Sequence, residues 1–289
     1  MTSVKIRLGG VPEHFNYPIH KAIKEGKFAE AGIELEWVNC PGGTGQMTKA
    51  LREQTCDACV LLTEGIIADI LRGNPSRIIS GYVKSPLIWG VHTGVDSPVQ
   101  EYDEIFDNTI AISRNGSGSH LMPTVDALMK GRQLQEEQFV RVNDIDGAIR
   151  SLNAGETDIF YWEKFTTKPY VDKNILRRVG EFITPWPCFM IAATDAMINA
   201  EPEALDRMLR IILQSCEAFM QAPDAPNLIS DTYGIELKDA KYWFHVTEWA
   251  TDSWVSDKML LNVLFTLKEA GLVEGDAVGS DLIWIRNRK

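Results

Sequence analysis

Polar side chains and glycine-rich turns recur where the predicted strands of this 289-residue chain end. In an open α/β sheet, ligands bind beyond the carboxyl ends of the strands, so side chains at these points are candidates for binding or catalysis. One further candidate, Trp186, stands beside a predicted crossing between domains. The candidate binding residues are Glu13, His14, Asn16, Gly43, Thr44, Thr63, Glu64, Ser117, Gly118, Ser119, Tyr161, Trp162, Glu163 and Trp186.

Two of these segments, residues 41–46 and 115–119, are small-residue turns that precede predicted helices. The first turn of a helix carries backbone N–H groups without intrahelical partners, and these bind anions or carbonyl oxygens. Thr44, Ser117 and Ser119 add hydroxyl groups. An ordinary helix cap is the alternative for each turn, but two turns at equivalent places in two domains favour binding.

His14 and Glu64 are of residue types that serve as general acids or bases. No spacing among the polar residues compels catalysis, so the sequence assigns no catalytic residue. An enzyme that acts on a small heterocycle, with His14 or Glu64 as acid or base, is the rival interpretation.

Cofactor and metal motifs are incomplete. The pair Gly116 and Gly118 begins a dinucleotide-binding pattern, but Leu121 stands where the third glycine belongs. Cys56 and Cys59 have no second pair to complete a zinc site. We place both at the start of a strand, where residues three apart face opposite sides, and expect separate buried side chains. We therefore expect neither cofactor nor metal.

Short apolar runs alternate with helical patterns, which indicates α/β architecture with mostly parallel sheets. Five tryptophans, Trp89, Trp243, Trp249, Trp254 and Trp284, are expected in the core or at an interface. The predicted strands are 4–8, 33–38, 59–62, 78–83, 87–91, 109–113, 139–142, 157–162 and 189–193. The predicted helices are 17–24, 28–31, 47–52, 66–71, 119–130, 145–152, 202–219 and 258–270.

Composition narrows the classes of partner. The net charge of −11 argues against general binding to nucleic acid or to anionic membranes. No apolar run is long enough to span a membrane. Five cysteines and an N-terminus without a signal-like pattern favour a cytoplasmic location, and a mature domain whose signal was removed is the alternative. The oligomeric state is not predicted.

A series of short motifs resembles the type II periplasmic-binding-protein family. The similar branch holds sulfonate, taurine and nitrate binders and the thiamine-pyrimidine-precursor proteins, including cytosolic fungal relatives. The similarity spans roughly residues 4–220. The motifs lie at 22–35, 42–46, 57–60, 63–65, 115–119, 154–159 and 162–163, with Ser97.

The resemblance implies two α/β lobes, each a mixed, mostly parallel sheet flanked by helices, joined by two hinge crossings. It places residues 1–86 and 187–289 in the first lobe and residues 87–186 in the second. A ligand would lie in the cleft between the lobes. The iron-binding cysteine run of the related pyrimidine synthases is missing from this sequence, so their chemistry is not expected.

The charges on the predicted cleft loops indicate the ligand class. Acidic side chains (Glu13, Glu64, Asp144, Glu163) outnumber basic ones (Arg114, Lys164). A sulfonate or nitrate site would be expected to present arginine or lysine. Carboxylates suit an aminopyrimidine or another N–H-rich or cationic ligand, with Glu64 and Glu163 accepting hydrogen bonds. Thr44 and Ser117 to Ser119 would donate, and Tyr161, Trp162 and Trp186 would stack on the ligand. A sulfonate-type binding protein is a further alternative.

Overall fold

A computed structural model describes residues 3–275 and 277–285. The strands are β1 (Val4–Gly10), β2 (Ile33–Asn39), β3 (Ala58–Leu62), β4 (Ser76–Val83), β5 (Ile88–Gly94), β6 (Ile110–Ile112), β7 (Phe139–Arg141), β8 (Ile159–Glu163), β9 (Leu176–Ile183) and β10 (Phe189–Thr194). The helices are α1 (Tyr17–Lys24), α2 (Lys27–Glu30), α3 (Thr44–Arg52), α4 (Thr63–Leu71), α5 (Gly118–Met129), α6 (Ile145–Asn153), α7 (Lys164–Asp172), α8 (Asp195–Ala200), α9 (Pro202–Met220), α10 (Ala225–Tyr233), α11 (Leu237–Val246), α12 (Asp257–Glu269) and α13 (Gly279–Leu282).

These strands form two five-stranded sheets, so the predicted fold class is confirmed. The first sheet has the order β2-β1-β3-β10-β4, and the second has the order β7-β6-β8-β5-β9. In each sheet four strands run in one direction and a single strand, β10 or β5, runs against its neighbours. The amino end of that reversed strand therefore lies at the same edge as the carboxyl ends of its neighbours.

The two segments that connect the sheets run side by side. The Thr184 amide donates to the Leu87 carbonyl at 3.0 Å, and the Cys188 amide donates to the Ser85 carbonyl at 3.2 Å. Such paired crossings are a typical hinge between lobes, because a small change of backbone angles in both can alter the angle between the two sheets.

Most element bounds differ from the predicted ones by a few residues, but three differences matter. Helix α4 begins at Thr63 rather than residue 66, which places Thr63 and Glu64 in its first turn. Strand β9 and helix α7 were not predicted. β9 is an edge strand with mostly half-exposed side chains, and α7 contains Pro169, so neither has a clean apolar pattern.

The prediction that Cys56 and Cys59 face opposite sides is wrong. Strand β3 begins only at Ala58, so Cys56 lies in the preceding turn, where the alternation of a strand does not apply. Among the described residues, no helix combines the length and the apolar character needed to cross a bilayer.

Buried aromatic side chains anchor the turn that follows β1. The Tyr82 hydroxyl and the Trp249 indole N–H both donate to the Phe15 carbonyl, at 2.7 and 3.0 Å. Both rings are almost fully buried. The turn that carries Glu13 and His14 is therefore held from beneath by the core of the first sheet.

Replacing Tyr82→Phe removes one of the two donors to this turn and keeps the ring. We expect the free energy of unfolding to fall by about 1 kcal/mol, because one buried hydrogen bond is lost while Trp249 still satisfies the carbonyl. Urea unfolding measures the change. The matched variant Tyr242→Phe, at a side chain that is 49% exposed, should leave stability unchanged. Equal effects of the two variants would contradict this role for Tyr82.

Candidate functional site

A cavity of about 40 Å³ lies between the two sheets. Its walls come from the turn after β1, the start of α3 and the first residue of β10 on one side. On the other side they come from β5, the start of α5 and the end of β8. The lining residues are Val11, Glu13, Gly43, Thr44, Leu62, Leu87, Trp89, Ser113, Ser117, Gly118, Ser119, Trp162, Glu163 and Phe189.

Two carboxylates, one from each side, face this cavity. Glu13 follows β1, and Glu163 is the last residue of β8, where it also caps α7. One Glu163 oxygen, Oε2, accepts hydrogen bonds from the amide and the hydroxyl of Thr166, at 2.6 and 2.8 Å. Within the described part of the chain, neither carboxylate forms an ion pair with a lysine or an arginine. Neither group therefore has a direct lysine or arginine partner among the described side chains.

Burial controls the protonation of both groups. Loss of water, and next the charge of Glu163, raises the pKa of Glu13 to about 8, while a hydrogen bond with Trp162 opposes the rise. Burial likewise raises the pKa of Glu163 to about 7, although its hydrogen bonds to the start of α7 oppose the effect. Near neutral pH the pair therefore holds protons that exposed carboxylates would have released.

His14 lies behind these carboxylates rather than on the cavity wall. Its Nε2 is 3.7 Å from Oε2 of Glu163 and makes no hydrogen bond. The ring packs against Phe15, Trp243 and Tyr233. Burial lowers the pKa of His14 to about 3, so the ring is neutral and the contact with Glu163 is not an ion pair.

The predicted hydroxyl groups already have hydrogen-bond partners within the protein, although two of them act there as acceptors. The Thr44 hydroxyl accepts from the Leu62 amide at 3.1 Å. The Ser119 hydroxyl accepts from the Ser113 amide at 2.9 Å, and the Ser117 hydroxyl donates to the Arg114 carbonyl at 2.7 Å. The backbone N–H groups at the starts of α3 and α5 are available to a ligand, because the first N–H groups of a helix have no intrahelical carbonyl to bind.

Arg114, which follows β6 of the second sheet, lies against the turn before α3 of the first sheet. The Arg114 side chain packs on the turn before α3 and on the start of that helix. An added Cβ at Gly45, in the first turn of α3, would lie 2.7 Å from its Cδ, and a Cβ at Gly42 would collide with its guanidinium. Gly43, with φ of 71°, makes the same turn possible. Because Gly42 and Gly45 have no side chain, the turn of the first sheet and Arg114 of the second sheet can meet closely beside the cavity.

Aromatic side chains form the apolar walls, and two of them were missed as ligand contacts. Trp89 was expected in the core or at an interface, and Phe189 was not singled out, yet both line the cavity. Each stands near the amino end of the one antiparallel strand of its sheet. The rule that ligands bind beyond the carboxyl ends of strands does not point to residues at the amino end of a reversed strand. The signal that could have found them is their position just after a crossing segment.

Several candidates lie away from the cavity. The Trp186 indole donates to Oε2 of Glu64 at 2.8 Å, so these two side chains bind each other. The Thr63 hydroxyl donates to the Pro187 carbonyl at 2.6 Å.

Asn16 and Tyr161 are also held by other groups. The Asn16 amide donates to the Val11 carbonyl at 2.8 Å, and Asn16 lines a smaller neighbouring cavity with Glu13. The Tyr161 hydroxyl donates to Asp126 at 2.6 Å, on the face of β8 opposite to Trp162.

Comparison with known proteins agrees with this architecture. The structure of the Candida albicans CA3427 gene product, described as exhibiting the generic periplasmic binding protein fold, superposes with a TM-score of 0.88 and 28% identity, over 94% of this chain and 92% of that one. The chain has the periplasmic-binding-protein fold. The resemblance seen in the sequence is thereby confirmed. A family model described as Ca3427-like PBP matches residues 89–182, which hold most of the second sheet.

Other solved structures share the fold at lower identity. The alkanesulfonate-binding protein SsuA from Xanthomonas axonopodis pv. citri, bound to MOPS, has a TM-score of 0.80 at 12% identity, over 98% of this chain and 99% of that one. The periplasmic aliphatic sulphonate binding protein SsuA from Escherichia coli has a TM-score of 0.70 at 14% identity, with 98% of both chains covered. No protein with curated annotation matches this chain in sequence.

The raised pKa of Glu13 predicts a pH dependence of stability. Its pKa is about 8 in the folded chain, against an ordinary value of 4.5. Between these values the folded chain binds more protons than the unfolded chain, so the free energy of unfolding must fall as pH rises. We expect Glu13→Gln to flatten this fall. Urea unfolding at a series of pH values between 5 and 8 measures it.

The matched variant Glu156→Gln changes an exposed carboxylate in a turn outside the cavity. It should keep the pH dependence of the unchanged chain. A Glu13→Gln curve that is parallel to the unchanged chain's curve over this range would show that Glu13 does not titrate as described.

Proposed function

We propose that this protein binds a small molecule in the cavity between its two sheets, and that the molecule is a flat, N–H-rich or cationic heterocycle of the thiamine-precursor aminopyrimidine type. The observation that carries the proposal is the pair Glu13 and Glu163, which face one cavity from opposite sides without a lysine or arginine ion pair in the described chain. Ring N–H, amino or ammonium groups of a ligand would supply the missing hydrogen-bond donors and positive charge.

The remaining walls support the flat shape of the ligand. Trp89 and Trp162 contribute large aromatic rings to the lining, and Leu62, Leu87 and Phe189 add apolar side chains. Flat heterocycles bury their faces well against such rings while their edges keep hydrogen bonds. The starts of α3 and α5 would receive a hydroxyl or ring-nitrogen acceptor on another edge of the same ligand.

The lobe boundaries belong to the proposal. Residues 1–86 and 187–289 would form the first lobe and residues 87–186 the second, because each range contains the strands of one sheet. Opening at the paired crossings would admit the ligand, and closing would bury it. A small molecule is the only partner that the proposal includes. A cytoplasmic location is included too, and the five free thiols support it.

One observation favours a second function, an enzyme acting on the heterocycle. The pKa of Glu13, raised to about 8 by burial and by Glu163, is that of a group poised to exchange a proton near neutral pH. Neutral His14 and the Glu64–Trp186 pair lie off the cavity, so Glu13 replaces His14 and Glu64 as the candidate acid or base.

Calorimetric titration with a panel of aminopyrimidines and alkylsulfonates tests the binding proposal. We expect an aminopyrimidine to bind and alkylsulfonates to give no signal, because the residues that line the cavity include no lysine or arginine to pair with a sulfonate. For Glu13→Gln and for Glu163→Gln we expect the aminopyrimidine to bind at least about tenfold more weakly, since a charge-assisted hydrogen bond is lost.

Glu156→Gln is again the matched control and should bind like the unchanged chain. Tight alkylsulfonate binding without an aminopyrimidine signal would refute the ligand class. Mass spectrometry of the bound molecule after incubation decides between binding and catalysis: recovery of the intact ligand at one equivalent supports a binding protein, and a product of altered mass supports the enzyme.

A further inference from the structure

Three of the five cysteines place their sulfur atoms around one glycine. The Sγ atoms of Cys59, Cys56 and Cys40 lie 2.9, 3.0 and 3.4 Å from the point that a Cβ on Gly9 would occupy. Gly9 is on β1, Cys59 is on β3, and the other two thiols stand in the turns after β2 and before β3. Gly9 leaves the space into which three thiols from neighbouring segments converge.

The spacing of these thiols is not that of a metal site. Across residues 3–275 and 277–285, no three side chains of histidine, cysteine, aspartate or glutamate converge as ligands of one ion. All five cysteines are free thiols. The chemistry open to neighbouring free thiols is then oxidation to a disulfide.

We propose that Cys40 and Cys56 form a disulfide when the protein meets a hydroperoxide. Both cysteines are buried, but each is next in sequence to an exposed residue, Pro41 for Cys40 and Thr55 for Cys56. Cys59 is instead within strand β3, whose residues are all buried. We therefore expect a small oxidant to reach Cys40 and Cys56 before Cys59.

Cys56 is the thiol that reacts with the peroxide. The neighbouring Cys40 and Cys59 thiols lower the pKa of Cys56, burial and the charge of Asp57 oppose this, and the positive charge of Arg7 adds to the lowering. Arg7 is held beside it by an ion pair with Asp57 at 2.6 Å. The thiolate, not the thiol, is the nucleophile in such reactions.

The reaction balances with one hydrogen peroxide. The Cys56 thiolate attacks one peroxide oxygen, so that an S–O bond forms, the O–O bond breaks, and the departing hydroxide takes up the thiol proton as water. The Cys40 sulfur then attacks Sγ of Cys56. An S–S bond forms, the S–O bond breaks, and hydroxide leaves as water with the proton of Cys40. Two thiols lose two electrons, and the peroxide becomes two water molecules.

The disulfide would act on the wall of the cavity. Cys40 immediately precedes the turn that contains Gly43 and Thr44, and its carbonyl accepts from the Gly43 amide at 3.0 Å. A disulfide brings the two sulfurs to about 2.05 Å, so the turn before α3 would be tied covalently to the start of β3. The proposal does not depend on which ligand the cavity binds.

Peptide mapping of the full-length protein after exposure to hydrogen peroxide tests this directly. The protein is oxidised, unfolded in the presence of iodoacetamide, and digested without reductant. We expect three of the five thiols to be alkylated, an intact mass about 2 Da lower before alkylation, and a linked peptide pair that contains Cys40 and Cys56. Reductant should restore alkylation of all five.

Cys188→Ser and Cys216→Ser alter buried thiols outside the cluster and should leave the linked peptide unchanged. Cys56→Ser should abolish it. The unchanged protein decides the question if that variant does not fold. Alkylation of all five thiols after oxidation, a link through Cys59, or oxidation confined to Cys188 or Cys216 would each overturn the proposal.

Discussion

Enclosing two carboxylates in one apolar cavity is the constraint on which this molecule's site depends. Glu13 and Glu163 arrive from different sheets, and burial raises the pKa of each because a buried charge loses the stabilisation of water. Neither is neutralised by a lysine or arginine within the described residues. A buried carboxylate here therefore needs either a bound proton or a hydrogen-bonding, positively charged ligand in place of the stabilisation that water gave. This requirement links ligand chemistry, protonation and closure of the cleft.

The fold meets this constraint by bracing the segments that carry the two acids. Tyr82 and Trp249 hold the turn after β1 from the core, and Glu163 is fixed by its bonds to Thr166 at the start of α7. The cavity thus has rigid walls on each side and two crossings between them. In the proposed function, movement would be confined to the angle between the sheets, so that a ligand could be bound and released without rebuilding the site.

Strand β1 brings two kinds of chemistry close together. At Gly9 three thiols converge, and a few residues later the chain reaches Glu13 in the cavity. The turn after Cys40 lines the same cavity through Gly43 and Thr44. The proposed disulfide would therefore lie only three residues from Gly43 on the wall of the cavity.

The amino-acid sequence by itself determined the alternation of strands and helices and the small-residue turns at Thr44 and Ser117, because hydrophobic periodicity and turn composition are local properties. It also predicted that Glu13 and Glu163 stand at strand ends. Only the tertiary structure decided that Trp89 and Phe189 line the cavity, that Glu64 is bound by Trp186, and that Cys56 meets Cys40 and Cys59. These depend on strand direction and on contacts between segments far apart in the chain, which no local pattern encodes.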